Sequence, residues 1–218
     1  MTDDKQGVPL QTLSRGITAL ELLAEAEEPL SIAQLSTRLG LHRSITYRIV
    51  RTLEEHRLVT RGATGDLALG ASLASLARNV ARDLQTAALP ELTQLANELG
   101  MTAFVAVHDH DDAVTLVSVE PRAAIAAVAQ RPGTRHPLDR GAPGRAVHRL
   151  VRPGTWDLPY ETSHDEVIHG LSAIAAPLDA PGQQPAAIAV VYLTGAVDVS
   201  AIGARLCDAA RAIQDEMR

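Results

Sequence analysis

The sequence predicts an α+β protein that begins with a winged helix-turn-helix and ends with an antiparallel sheet flanked by helices. Helical periodicity dominates up to residue 55, and a short hairpin pattern follows it. Val- and Ala-rich alternating stretches then recur between residues 102 and 193, with helical patterns on either side. At 218 residues and 46% hydrophobic composition, the chain is long enough to build two small cores.

Two short helices open the pattern. The first begins at Ser14 and ends at the Glu-Glu-Pro sequence of residues 27–29. The second, in SIAQLSTRLG, has Ser31 as its predicted N-cap and Gly40 as its C-terminal stop. A third helical pattern follows after two residues, which is the spacing of a helix-turn-helix.

The third helix contains RSITYRIVRTL, residues 43–53, with three arginines and no acidic residue. At 100° per residue, Ile45, Ile49, Val50 and Leu53 share one face and the arginines lie on or beside the opposite face. Guanidinium groups bind phosphates and guanine edges, and hydroxyl groups suit both kinds of contact. The predicted DNA contacts of this segment are His42, Arg43, Ser44, Thr46, Tyr47, Arg48 and Arg51.

The basic helix lies in an acidic protein. The formal net charge is −6, whereas residues 38–61 hold six arginines against Glu54 and Glu55. A charge run is often just a solvated face, but its position opposite the packing face favours contact with DNA. Ser31, at the start of the preceding helix, is predicted to offer backbone N–H groups to a phosphate.

A wing and a linker are predicted next. RLVTRGATGDLAL gives two short strands around a turn at residues 63–66, and Arg61 is placed to reach a phosphate or the minor groove. Residues 71–84 then show an uninterrupted helical pattern that connects two domains or pairs with a second copy. The predicted division is residues 1–70 for the winged helix-turn-helix, 71–86 for the linker and 87–218 for a sensor domain.

A second candidate site is PLDRGAPGRAVHRL, residues 137–150. Residues 139–143 form a predicted turn, and Pro143 suits the first turn of a helix that runs to about Leu150. A helix N-terminus binds anions through its free N–H groups, and Gly144 permits close approach. The alternative is a tight strand-to-helix connection with no ligand.

Other site classes have weaker support. His108-Asp-His110-Asp-Asp resembles a metal site in composition, but such a sequence between apolar strands is more often an exposed turn. The sequence has no P-loop, G-x-S-x-G, G-x-G-x-x-G or H-E-x-x-H motif, so it predicts no catalytic site and no cofactor. One cysteine, Cys207, allows no internal disulfide. The absence of a secretion signal and of an apolar span predicts a cytoplasmic location.

In the order of its elements the chain resembles the IclR family of bacterial transcription regulators. The similarity rests chiefly on residues 14–61, on PLDRGAPGRA and on DEVIHGLSAIAAPL. It implies a winged helix-turn-helix, a linker helix used in dimerisation and a GAF-like effector domain. The effector contacts that it implies are Thr102, Leu138, Gly144, Glu166, Ala175 and Pro177. The chain departs from the family in its short 151–159 segment and in an apolar final strand, where Ala189 and Val191 replace polar residues.

The sequence therefore predicts a regulator that binds a double-stranded DNA operator as a homodimer or tetramer. A small organic effector, a carboxylate or an aromatic metabolite, is expected in the sensor domain. An anionic ligand suits a helix N-terminus, although an ionised Glu166 would oppose it. Two alternatives stay open: a regulator whose sensor domain has lost its ligand, and an enzyme that carries the winged helix as an interaction module.

Overall fold

The computed structural model describes residues 10–123, 127–152 and 154–218. The chain divides into two compact units, Met1–Val80 and Ala81–Arg218, each with its own hydrophobic core. Helices dominate the first unit and an antiparallel sheet dominates the second, so the predicted α+β class is confirmed. None of the helices in the described ranges combines the length and the hydropathy that a membrane span requires.

The first unit begins with α1 (Gln11–Glu25), α2 (Ile32–Leu39) and α3 (Arg43–Glu55). A capping box starts α2: Ser31 Oγ accepts from the Gln34 N–H at 3.3 Å, and Gln34 Oε1 accepts from the Ser31 N–H at 2.8 Å. Gly40 ends α2 with a φ of 63°, a conformation that glycine adopts without steric cost. Both predicted ends of α2 are confirmed.

A two-stranded hairpin, β1 (Val59–Arg61) and β2 (Leu67–Leu69), completes the wing. Its strands pair antiparallel around the turn predicted at residues 63–66. Leu35, Val50 and Leu67 are fully buried in one cluster, so the hairpin and the helix-turn-helix share a core. This shared packing fixes α3 on the unit.

The predicted continuous linker helix is wrong. The chain instead forms α4 (Ser72–Ala77) and α5 (Arg82–Leu99), and Ala81 between them has a left-handed φ of 44°. None of the six residues of α4 is buried, whereas Leu84 is anchored in the core of the second unit. Local periodicity cannot show where such an anchor begins. α5 also continues through Pro90, where the helix forgoes one backbone hydrogen bond.

The second unit is built on a six-stranded antiparallel sheet in the order β5-β4-β3-β8-β7-β6. Its strands are β3 (Thr102–Asp109), β4 (Asp112–Val119), β5 (Arg135–Pro137), β6 (Glu161–His164), β7 (Leu171–Leu178) and β8 (Ala186–Leu193). The four long strands match the predicted apolar stretches. The short strands β5 and β6 are too polar to have been predicted.

Helices cover both faces of this sheet. α5 and α7 (Val199–Glu216) pack against the face that includes Val105 and Ile188, with Leu206 among them. α6 (Gly141–Val151) packs against the opposite face, where Phe104 and Ala189 lie. Successive residues of β3 therefore serve different cores, as the two-residue period of a strand requires. Small side chains under α6 allow that helix to lie close to the sheet.

One of the apolar stretches between residues 102 and 193 that predict strands, AAIAAVAQ at residues 123–130, is not tested in full. Residues 124–126 lie outside the described residues, and residues 127–130 form no strand. Two hydrogen bonds nevertheless fix the end of this segment: Ser118 Oγ donates to the Gln130 carbonyl, and Thr102 Oγ1 donates to the Val128 carbonyl at 2.7 Å. The segment brings Gln130 to the α6 side of the sheet.

Candidate nucleic-acid interface and effector pocket

The outer face of α3 presents most of the residues predicted to contact DNA. Arg43, Ser44, Tyr47, Arg48 and Arg51 are all exposed. The opposite face packs Ile49, Val50 and Leu53 into the core. The structure therefore places a cationic and hydroxyl-bearing surface on the solvent side of α3.

Two neighbouring residues of α3, Ile45 and Thr46, differ in burial from the prediction. Thr46 is completely buried, and its Oγ1 donates to the His42 carbonyl at 3.4 Å, so the predicted contact of Thr46 with DNA is wrong. Ile45, predicted to pack inward, is 40% exposed. The buried side of α3 is thus rotated toward Thr46, which lies between His42 and Ile49–Val50 in the helical repeat.

The arginines of this region differ in how far they are neutralised. Arg61 donates to both carboxylate oxygens of Glu54, at 3.0 and 3.4 Å. Arg51 pairs with Glu55 at 3.3 Å, but both side chains are more than 60% exposed, and such pairs are weak. No carboxylate of the described residues lies within ion-pair distance of Arg43 or Arg48. These two guanidinium groups are the most available cations of α3.

The predicted contacts at the helix starts already have intramolecular roles. His42 is the N-cap of α3, and its Nδ1 accepts from the Ser44 N–H at 3.4 Å and lies 2.9 Å from Ser44 Oγ. The Ser31 N–H is bonded to the side chain of Gln34. A phosphate at α2 would therefore meet the N–H groups of Ile32 and Ala33 rather than that of Ser31.

The second unit contains a small cavity between α6, β8 and the segment around β6. Its volume is about 70 Å³. Phe104, Val167, Ile168, Leu171 and Val191 supply an apolar lining. Val167 and Ile168 are 49% and 59% exposed, so the mouth of the cavity is apolar as well.

A neutral hydrogen-bonding group lies at one side of this cavity. His136 Nε2 is 3.0 Å from Thr115 Oγ1 and 3.1 Å from Gln130 Nε2, and the His136 ring stacks on Phe104 with centroids 5.5 Å apart. Burial lowers the pKa of His136 to about 4, since the surroundings disfavour the imidazolium form. At neutral pH the ring is therefore uncharged.

The opposite side of the cavity is ionic. Glu166 Oε2 accepts from the Gly141 N–H at 3.0 Å and from Arg145 Nη1 at 2.5 Å, and Glu166 Oε1 accepts from Arg145 Nη2 at 3.1 Å. Hydrogen bonds from Arg145 hold the pKa of Glu166 below its usual range. The start of α6 thus binds a carboxylate of its own chain.

The model of the IclR helix-turn-helix domain matches residues 12–63, which comprise the helix-turn-helix, β1 and the start of the hairpin turn. The curated HTH-type transcriptional regulator Rv1719 of Mycobacterium tuberculosis is 32% identical over 151 residues, 69% of this chain and 58% of that protein. The chain belongs to the IclR family. The transcriptional repressor IclR of Escherichia coli is 31% identical over 106 residues, 47% of this chain and 39% of that repressor. The chain spans less than two thirds of the length of these relatives.

Solved structures show the same IclR-type fold. An IclR transcriptional regulator from Alicyclobacillus acidocaldarius superposes with a TM-score of 0.80 at 22% identity, covering 97% of this chain and 100% of that one. An IclR homolog from Microbacterium hydrocarbonoxydans, complexed with 4-hydroxybenzoate, gives a TM-score of 0.77 at 22% identity, covering 95% and 99%. The fold therefore extends over both units.

The residues that the IclR resemblance implies as effector contacts lie in several separate places in the second unit. Glu166 lines the cavity, whereas Pro177 borders a separate surface depression beside Trp156. Thr102 and Ala175 are fully buried in the sheet, and Leu138 is half-buried against the core beneath α6. Gly144 has a packing role, because a Cβ there would lie 1.9 Å from the Pro137 carbonyl oxygen.

Sequence reasoning missed three charged residues beside this cavity, Arg145, Arg149 and Glu161. Arg145 is half-buried on α6 and pairs with Glu166, and Glu161 on β6 accepts from both Arg145 and Arg149. The spacing of Arg145 and Arg149, four residues apart on one helix, is the signal that could have identified the two arginines. Their acidic partners lie twelve to twenty-one residues away, where no local pattern connects them.

The histidine-rich stretch forms the turn between β3 and β4. His110 has a φ of 55° and lies 2.8 Å from Asp109, while Arg135 pairs with Asp109 and Asp112. Within the described part of the chain, no cluster of three or more His, Cys, Asp or Glu side chains has the arrangement of a metal site. These aspartates are engaged by Arg135 instead.

Proposed function

We propose that this protein is a DNA-binding transcription regulator, a repressor or an activator, that responds to a small effector. The observation that carries the proposal is the exposure of Arg43 and Arg48 on α3 without a carboxylate partner among the described residues. Duplex DNA is the polyanion that such a helix fits, because an α-helix enters the major groove and guanidinium groups neutralise phosphates there. Family membership supports the same assignment.

The contacts divide by role. The exposed N-terminal part of α3, with Arg43, Ser44, Tyr47 and Arg48, is the part that reads base edges in a helix-turn-helix. Arg51 and, after leaving Glu54, Arg61 of the wing bind the flanking phosphates. DNA competes well for Arg51, because its exposed pair with Glu55 is weak.

We extend the proposal to a homodimer or tetramer that reads a pseudo-palindromic operator. Two α3 helices related by two-fold symmetry would enter successive major grooves, about 34 Å apart. Exposed apolar side chains on α1 support self-association, because Leu13 and Ile17 remain 61% and 49% exposed. Leu76 on α4 is 67% exposed, which fits the predicted role of residues 71–86 in dimerisation.

The second unit is the proposed effector domain, and its cavity beside α6 is the proposed effector site. A small organic carboxylate or aromatic metabolite is the ligand class that the sequence suggests. The 4-hydroxybenzoate bound by the Microbacterium protein is an aromatic ring that carries a carboxylate. Effector binding would shift the population of dimer arrangements and so change the spacing of the two α3 helices. We assign no enzymatic activity. A regulator acting on chromosomal DNA belongs in the cytoplasm.

The test compares two double variants for binding to a duplex that the wild-type protein selects from a random pool. Arg43→Ala/Arg48→Ala removes the available cations of α3. Arg211→Ala/Arg218→Ala makes the same charge change at two exposed positions of the C-terminal region. We expect the first variant to lose about tenfold or more in affinity and the second to bind like the wild type. Equal binding by all three folded proteins would reject α3 as the interface.

A further inference from the structure

The ionic side of the cavity is an anion-binding position that is already filled. The Glu166 carboxylate accepts three hydrogen bonds, one from the Gly141 N–H and two from the Arg145 guanidinium. Arg140 also donates to the Glu166 carbonyl oxygen, which holds the backbone of this residue against α6. These are the donors that an incoming carboxylate would need.

The guanidinium groups that contact the Glu161 and Glu166 carboxylates, those of Arg145 and Arg149, are already engaged. Arg145 also donates from Nε to Glu161 at 3.1 Å and from Nη2 to the Thr162 carbonyl. Arg149 donates to the other oxygen of Glu161 at 2.7 Å. Arg145 and Arg149 therefore balance Glu161 and Glu166 in one network. Arg140, which is exposed and outside the cavity lining, contributes a further positive charge at the backbone of Glu166. A ligand carboxylate in the cavity would add a third negative charge beside the Glu166 side chain.

The remaining lining of the cavity does not supply a compensating cation. Phe104, Val167 and Ile168 are apolar, Ser163 and Ser172 are neutral hydrogen-bonding groups, and His136 is buried beside Thr115. A partly buried carboxylate with no cationic partner is costly, and a like charge within a few ångströms makes it more so. An uncharged ligand with one polar group avoids both costs.

We propose that Glu166 determines the specificity of this pocket by acting as an internal anion, so that the pocket accepts small uncharged aromatic ligands and excludes carboxylates. The inference rests on the proposed function, since it takes the cavity to be the effector site. It reverses the expectation that the start of α6 receives an anionic effector.

The proposal predicts a switch of ligand class. Glu166→Ala vacates the position beside Arg145 and the Gly141 N–H and removes one negative charge from the network. A benzoate carboxylate then finds the donors that Glu166 held. Glu161→Gln is the matched control, because it removes the same charge from the same guanidinium but lies outside the residues that line the cavity.

The experiment measures binding of benzoate and benzamide, which differ in charge but hardly in shape, to the full chain by calorimetry at pH 7.5. We expect the wild type and Glu161→Gln to bind benzamide more tightly than benzoate. Glu166→Ala should gain roughly ten- to hundredfold in benzoate affinity, the value of a charged hydrogen-bonding contact. Glu166→Gln, which preserves the shape of the side chain, should gain less.

Three results would overturn the proposal: benzoate binding the wild type as tightly as Glu166→Ala, no benzoate gain in Glu166→Ala, or an equal gain in Glu161→Gln. If Glu166→Ala does not fold, the lack of any benzoate gain in Glu166→Gln has the same meaning. DNA binding by the same wild-type preparation is measured separately. If the proposed function is wrong, the wild-type protein will not bind DNA. If only this inference is wrong, DNA binding will be normal and the ligand titrations will show one of the three results above.

Discussion

Two arginine-bearing helices of this protein, α3 and α6, differ in where their positive charge is neutralised. Arg43 and Arg48 on α3 are exposed, with no carboxylate of the described residues in reach. Arg145 and Arg149 on α6 are largely buried and saturated by Glu161 and Glu166. The same residue type is therefore available to an external polyanion on one helix and structural on the other. The positions of the carboxylates make the difference.

The largest difference between the two helices should appear in stability. Glu161→Ala leaves the buried guanidinium groups of Arg145 and Arg149 without a shared partner, and we expect a loss of about 2–3 kcal/mol in the free energy of unfolding. Glu55→Ala removes the exposed partner of Arg51 and should cost less than about 0.5 kcal/mol. Urea denaturation followed by circular dichroism measures both. Similar losses of unfolding free energy in Glu161→Ala and Glu55→Ala would contradict the difference between the buried and the exposed ion pairs.

The second prediction concerns pH and the neutral side of the cavity. The pKa of His136 is about 4 in the folded protein and close to the ordinary histidine value of 6.5 in the unfolded protein. The unfolded state therefore binds more protons between these values, and stability falls as the pH drops below 6.5. His136→Gln should remove about 1.5 kcal/mol of the loss that the wild type shows between pH 6.5 and pH 5.

Fluorescence of Trp156, the single tryptophan, reports on unfolding of the second unit at each pH. The difference between wild type and His136→Gln isolates this histidine, because the other titrating groups are common to both proteins. An identical pH dependence in the two proteins would show that His136 is not kept neutral by its surroundings.

The smallest expected change in stability comes from releasing Arg61 of the wing from its pair with Glu54 on α3. Glu54→Gln breaks the pair with Arg61, both partners of which are about one-third exposed, and should change stability by less than about 1 kcal/mol. It also frees Arg61 for a phosphate, so DNA affinity at low salt should rise by up to about fivefold. Weaker DNA binding by a fully folded Glu54→Gln protein would mean that the pair positions the wing.

The N-terminal unit was largely predictable from sequence because its signals are local. Ser31 and Gly40 mark the ends of α2 through short-range hydrogen bonds and backbone conformation, and the apolar spacing of α3 locates its outer face. Thr46 was misplaced because its hydroxyl is satisfied within its own helix, which makes a polar residue compatible with the core.

The cavity was far less predictable because its residues come from distant segments. Glu166 meets Arg145 across twenty-one positions, and Gln130 reaches Thr115 across fifteen. The sequence predicts a close approach at Gly144, but the group that approaches is the Pro137 backbone rather than a ligand. Spacing in one sequence does not show such tertiary pairings.

The most direct test of the account is the salt dependence of DNA binding by the wild type and Arg43→Ala/Arg48→Ala. Each phosphate that a guanidinium neutralises contributes about −0.9 to the slope of log affinity against log salt. We predict that the slope of the double variant is shallower by about 1.8, whereas Arg211→Ala/Arg218→Ala keeps the wild-type slope. An unchanged slope in Arg43→Ala/Arg48→Ala would contradict the claim that α3 offers unpaired cations to DNA.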